Sequence, residues 1–428
     1  MIARRVEGKL HYAWIVVGIT FLILLFAAGF RSTPSILMVP LQHEFGWNRA
    51  TISVAVSINL VLFGLSSPFA AALMHRFGIK RVILGALLLV STGSALTTVM
   101  NAPWQLDLLW GVVVGAATGA MASVLAATVA NRWFYQRRGL VMGLLSASSA
   151  SGQIGFLPLL AFLASSAGWR SAAVAVAAVA LLLIPCVALL MKDRPEQISL
   201  LPYGAESAGA TARERSNPLR TSLNALRTGF RSTSFWLLAG SFFVCGASTN
   251  GLIGTHLIPA AMDHGMSEVT AASLLATVGF FDIVGTVFSG WLTDRWDSRL
   301  LLAWYYGLRG LSLFVLPFAL RSTGVTLVIF IVFYGLDWVA TVPPTAALTR
   351  ERFGPETGTV IYGWIFASHQ LGAAFAASGA GIIRTWLGDY LVAFLAAGVL
   401  CLLAAIAVVC ISRAPREVQI PVAEALPA

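Results

Sequence analysis

Four charged side chains stand in sequence that is otherwise almost wholly apolar: Arg31, Asp282, Arg309 and Asp337. A charge at the centre of a bilayer costs at least about 2.5–3.5 kcal/mol, so such residues are usually paired or carry function. Two are positive and two negative, which points to pairing. A guanidinium fork can hold a carboxylate through two hydrogen bonds. A carboxyl in a partly desolvated site can exchange a proton near neutrality. The chemistry on offer is therefore anion binding and proton carriage. His369, followed by Gln370, adds the side chain whose ordinary titration falls between about pH 5 and 8. Asn59, Gln153 and Asn250 are weaker polar candidates, and Tyr362, with Trp364 and Phe366, offers an aromatic wall. Each also has a plainer reading: snorkelling for Arg31, helix–helix hydrogen bonds for the polar residues, and packing for the aromatics. Bond-making machinery is missing from the sequence. There is no phosphate-cradling Gly-rich loop, no Cys/His metal spacing and no Ser/His/Asp set in one compartment. No cofactor and no metal site is expected, and the chain is not expected to be an enzyme. Cys186, Cys245, Cys401 and Cys410 all fall in apolar runs and read as small packing residues.

The elements that must position these residues follow from composition. Soluble domains are about 25% charged, whereas this chain of 428 residues is 11% charged and 58% hydrophobic, with mean hydropathy +0.82. It could not cover its surface with polar groups in water. In lipid only helices and closed barrels satisfy every backbone polar group, and the long, non-alternating apolar runs decide for helices. Those runs predict twelve spans, approximately 13–40, 50–74, 82–100, 105–130, 139–164, 170–191, 234–260, 268–292, 300–320, 325–347, 357–383 and 387–411. The first run is too long for a signal-peptide core and stays as a span.

Charge sets the orientation. Outside the spans, one side carries only Arg49, Arg170, Arg321 and Arg384, and all other Lys and Arg residues assign to the opposite side. The positive-inside rule then places both termini in the cytoplasm of a multi-pass inner-membrane protein. The net charge of +10 is topological and does not imply nucleic acid. Residues 192–233 form the one long polar segment, expected to be disordered from Tyr203 to Ser216. Leu219, Leu223, Leu226 and Phe230 then recur at helical spacing among Arg220, Arg227 and Arg231, as in a basic helix lying on the membrane interface. The expected domains are a six-helix half over 1–191, this linker over 192–233, and a second half over 234–428.

Displacing the sequence by about 219–220 residues brings Gly46, Thr51 and Arg76 onto Gly265, Thr270 and Arg295. Likewise Gly143, Ser148 and Gly152 fall on Gly363, Ser368 and Gly372. A parallel six-span repeat with a solute site at the repeat interface is a known transporter architecture. Between spans 8 and 9 the chain reads Gly290-x3-Asp294-Arg295, followed by Arg299. This resembles the cytoplasmic gate motif of the major facilitator superfamily. The loop after span 2 repeats it as Ala71-x3-His75-Arg76-x-Gly78-x-Lys80-Arg81, with Ala71 and His75 where Gly and Asp are usual. The second copy is expected to be the better clasp. Residues 133–148, WFYQRRGLVMGLLSAS, resemble the span 4–5 motif of monocarboxylate transporters and bacterial oxalate/formate exchangers, with a looser echo in Tyr12-Ala13-Trp14.

The resemblance implies an all-α membrane protein of two pseudo-symmetric six-helix halves that moves small organic anions, such as monocarboxylates, by alternating access. Protons or an exchanged anion would drive it, and a monomer is expected. It also implies a substrate cation on span 1, for which Arg31 is a displaced candidate, and a span-8 Asp at Asp282. The Arg usual four residues later is here Thr286. Arg309 is expected to pair with Asp282 or Asp337, leaving the other carboxyl, Asp337 by its cavity-lining place, to carry a proton. A drug or toxic-compound exporter of the same superfamily is the alternative, disfavoured because span 5 offers only Gly152-Gln153-Ile154-Gly155 and an isolated Pro158.

Overall fold

In a medium without water each backbone polar group must find its partner within its own helix. The computed structural model describes residues 11–47, 49–205, 217–322 and 324–412, without the side chains of 31–39, 49, 50, 53, 150, 153, 154, 157, 158, 161, 165, 268, 269 and 272. Among the described residues the only β pairing is one isolated bridge, Phe134 to Tyr203. Spans 1 to 6 are Tyr12–Phe45, Arg49–Phe77, Ile79–Thr97, Pro103–Trp133, Arg138–Ala167 and Trp169–Leu190. Spans 7 to 12 are Thr233–Asp263, Glu268–Thr293, Ser298–Ser322, Val325–Phe353, Pro355–Leu387 and Leu391–Val409. Ten of these contain segments long and apolar enough to cross a membrane by length and composition, and spans 5 and 11 complete the twelve. Spans 1 and 10 outrun their apolar stretches, to Phe45 and Phe353. Hydropathy marks the thickness of the hydrocarbon, whereas a helix ends where its caps permit. Gly46, at φ 68°, stops span 1, and Arg350 and Arg352 complement the negative end of span 10.

The repeat extends to helix defects. Span 4 is interrupted at Met121–Ala122 and span 10 between Asp337 and Val342, positions about 220 residues apart. Spans 4 and 7 also contain π-helical stretches, Asp107–Val114 and Ala247–Ile253. π-bulges recur at functional sites because they re-aim side chains and free carbonyls.

One expectation for the linker changes. Tyr203, placed by sequence at the start of a disordered stretch, is instead docked: its N–H donates to the Trp133 carbonyl at 2.8 Å, and its carbonyl accepts from Tyr135 N at 2.9 Å. Its ring packs among His11, Trp14 and Phe134. Tyr12 and Trp14 thus meet Trp133 and Phe134 in space. Residues 206–216 of that stretch lie outside the described residues. The basic helix is present as Pro218–Phe230, capped by the Asn217 side chain. Ser222, Ala225 and Gly229 are buried, while Leu219, Leu223 and Phe230 are exposed. Its Ser222 carbonyl accepts from Trp364 Nε1 at 3.1 Å, fixing it to span 11.

Candidate functional site

Arg309 lies near the middle of span 9 and is fully buried. Its Nε donates to Asp337 Oδ2 at 2.6 Å, closing a salt bridge between spans 9 and 10. Its Nη2 donates to the carbonyls of Asp337 and Trp338 at 2.6 and 3.1 Å, where the break in span 10 leaves carbonyls without helical partners. Its Nη1 reaches Cys245 Sγ at 3.1 Å and Ser248 Oγ at 3.4 Å on span 7. The guanidinium therefore neutralises a carboxylate and caps a broken helix at once. This corrects the expectation for Asp337, which is the paired acid. Its Oδ1 has no hydrogen-bond partner among the described residues.

Asp282, on span 8, is held by neutral donors. Its Oδ1 accepts from Thr286 Oγ1 at 2.7 Å and from Val339 N at 3.0 Å. The Thr at the position where an Arg was usual thus serves as hydroxyl donor to the same acid. Asp282, Asp337 and Arg309 lie close enough to feel one another's charge. His369, on span 11, is buried against Phe242 and stacked on Phe366 at 6.0 Å, with no hydrogen-bond partner for Nδ1 among the described residues. The structure therefore gathers Asp282, Arg309, Asp337 and His369 at mid-depth of the second half. Cys245 joins them, between Arg309, Thr341 at 3.1 Å and His369, so its reading as a plain packing residue is corrected. The signal was present: Cys245 opens the stretch CGASTN, the polar interruption of span 7.

The remaining candidates take other places. Asn59 is buried and donates to the Trp110 carbonyl at 2.8 Å, tying span 2 to span 4. Asn250 is exposed on the π stretch of span 7, and Gln370 is half-buried facing Gly64 of span 2. Tyr362 is buried beside Phe242. The side chains of Arg31 and Gln153 lie outside the described residues.

The gate residues close one end, here termed the basic end because the Arg- and Lys-rich loops lie there. Asp294 reaches across the halves to the first turn of span 5, accepting from Gly139 N at 2.6 Å and Leu140 N at 2.9 Å. A carboxylate at a helix N-terminus meets both free N–H groups and the positive end of the dipole. Arg295 lies over the Trp291 ring at 4.0 Å and donates to its carbonyl. Span 5 can approach this closely because Gly143 and Gly290 face each other. A Cβ on Gly143 would lie 2.5 Å from the Thr286 carbonyl oxygen and 2.9 Å from Gly290 Cα. We expect Gly143→Val to hold this end apart and cut transport about tenfold or more, since seam clashes of this kind cost 1–3 kcal/mol. Retained activity with unchanged cysteine accessibility across the seam would contradict that.

The first gate copy lacks the acid of the second. His75 occupies the Asp place, and the acid comes from Glu356 in the first turn of span 11, 3.8 Å from Arg194. Gly78, at φ 92°, leaves room for the Asp193 carboxylate, which accepts from Lys80 N at 2.8 Å and caps span 3. Sequence reasoning missed Asp193, which lies 113 residues from the amide it caps. Asn131 to Thr359, at 3.2 Å, adds another bond across the halves. At the far end the ion pairs stay within a half: Glu44–Arg170 at 2.6 Å and Asp263–Arg384 at 2.7 Å.

A bundle of twelve spans in two repeated halves, meeting at a seam and holding charge at mid-depth, is the architecture of a membrane transporter. The family model described as Major Facilitator Superfamily matches residues 20–377 and 247–426, and the chain belongs to that superfamily. It is 28% identical over 393 residues to Monocarboxylate transporter 13 of Rattus norvegicus, covering 90% of this chain and 86% of that protein. It is 27% identical over 386 residues to the uncharacterized MFS-type transporter YcxA of Bacillus subtilis, covering 88% and 90%. Among solved structures it resembles the fucose:proton symporter FucP of E. coli, with TM-score 0.71 and 16% identity over 94% of this chain and 100% of that one. These likenesses carry the transporter fold and the resemblance to the monocarboxylate group.

Proposed function

We propose that this protein is a secondary active carrier of small organic anions, monocarboxylates foremost, that moves each anion together with a proton by alternating access. The carrying observation is the mid-depth cluster of two carboxyls with a single guanidinium already committed to one of them. Such a cluster is electrically neutral only with one proton bound, and net charge at that depth is costly. The similarity to Monocarboxylate transporter 13 over most of both chains supports the substrate class. With Arg309 committed, Arg31 on span 1 is the intramembrane cation proposed to hold the substrate carboxylate. The basic loops support a cytoplasmic placement of the closed end and of both termini in the inner membrane. Asn250 and Gln370, with their exposure, are proposed to complete the polar lining, while Asn59 and Tyr362 act behind it.

Uptake of labelled C2–C5 monocarboxylates into proteoliposomes under an inward proton gradient tests the reading. We expect accumulation of at least one of them, abolished by dissipating the gradient. No carboxylate uptake together with extrusion of lipophilic cations would instead select the exporter. Arg31→Lys should raise KM about tenfold, since a point charge replaces a bidentate charge-assisted pair. An unchanged KM removes Arg31 from the site.

A further inference from the structure

At the basic end a cavity of about 430 Å³ opens between the gate and the linker helix. Its walls come from both halves: His75 and Arg76 at the end of span 2, Arg194 after span 6, Glu356 at the start of span 11, and Arg220 and Asn224 on the Pro218–Phe230 helix. Three guanidinium groups face one carboxylate, and no other acid among the described residues lines it. His75 Nε2 is buried without a hydrogen-bond partner among the described residues, and the same side chain lines an adjoining cavity of about 220 Å³ that shares Arg194. Arg76 and Arg220 take part in no salt bridge among the described residues. We propose that this cavity is a regulatory site for a phosphate monoester, distinct from the transport site, whose occupancy holds the basic end closed. A monoester carries about two negative charges and three acceptor oxygens, enough to balance the excess and to be shared by guanidiniums arriving from separate elements. Because the walls belong to both halves, the site is complete only while the seam is shut. Its ligand therefore binds that state preferentially and shifts the population toward it. The monoester can reach the site as a soluble ester or as the headgroup of phosphatidate, because the exposed Leu219, Leu223 and Phe230 put the helix at headgroup depth.

The test uses the full chain in phosphatidylcholine nanodiscs, with thermal unfolding followed on adding glycerol 3-phosphate or chloride at equal ionic strength. The ester should raise the melting temperature and chloride should not. Arg220→Gln, on an exposed helix outside the transport machinery, should weaken the apparent affinity about tenfold, the loss of one charge-assisted hydrogen-bonded pair. Arg76→Gln should do the same, and if that variant does not fold, Arg220→Gln decides. In nanodiscs containing phosphatidate, a melting temperature already raised and insensitive to the soluble ester assigns the headgroup as ligand. An unchanged baseline that still responds assigns the soluble ester. Equal shifts from chloride and ester, or an undiminished ester response in Arg220→Gln, overturn the proposal. Neither result bears on which anion is transported.

Discussion

Arg309→Ala is expected to be the most damaging single replacement for folding. Removing one partner of a buried ion pair costs about 3–5 kcal/mol, because the remaining charge is left without compensation. Here the orphan would be Asp337, whose Oδ1 already has no hydrogen-bond partner among the described residues. The loss extends to the backbone, since Arg309 also serves the Asp337 and Trp338 carbonyls at the interruption of span 10. Lysine cannot substitute: one ammonium cannot span Cys245, Ser248, the carboxylate and both carbonyls. Replacing the pair by Arg309→Leu with Asp337→Leu should recover part of the stability, because apolar substitutes for buried pairs are often tolerated. It should not recover all of it, since the carbonyls stay unserved. Folded yield by size-exclusion chromatography and thermal unfolding in detergent should rank wild type above the double variant and the double variant above Arg309→Ala. If Arg309→Ala melts with the wild type but fails to bind substrate, the guanidinium faces the anion instead.

That ranking depends on a pairing that periodicity could not give. Apolar runs set the spans because lipid imposes a minimum length of hydrophobic helix, and the repeat set the two halves because Gly143 and Gly363, or Ser148 and Ser368, recur at one spacing. The gate was legible through its resemblance to a known motif around Gly290 and Asp294, although the amides that Asp294 meets lie on span 5 in the other half. Which acid Arg309 meets is a matter of helix rotation, and nothing within span 9 encodes the azimuth of span 10. Asp337, reached through a helix break, won over Asp282, which found Thr286 one turn away and an amide freed by the same break. Cys245 and Asp193 were missed because their roles depend on partners from other spans, and a buried thiol alone reads as a small apolar residue.

Asp282→Asn should uncouple transport from the proton gradient while leaving exchange intact. A lone anion entering against an inside-negative potential faces about 2.3 kcal/mol per 100 mV, so uptake needs a proton or a departing anion. A coupled proton adds about 1.36 kcal/mol per unit of pH difference, roughly tenfold in accumulation. Asp337 is held as the counter-ion of Arg309, and among the described residues Asp282 accepts hydrogen bonds only from a hydroxyl and an amide. Asp282 is therefore the carboxyl that can be charged or neutral without breaking a salt bridge. With the proton bound, the cluster and the anion-loaded site approach neutrality and the halves can rock past each other. Loss of the proton on the other side restores the charge imbalance and releases the anion. Asparagine keeps the size, and its carbonyl oxygen can still accept from Thr286 and Val339, but it cannot titrate. We expect Asp282→Asn to exchange labelled for unlabelled substrate at a rate near wild type and to show no accumulation above equilibrium when a pH gradient is imposed. Full accumulation by this variant would move the proton to His369, another titratable group at this depth, and His369→Gln would then show the uncoupled phenotype. A wild type indifferent to pH would reject proton coupling and leave anion exchange as the driving reaction.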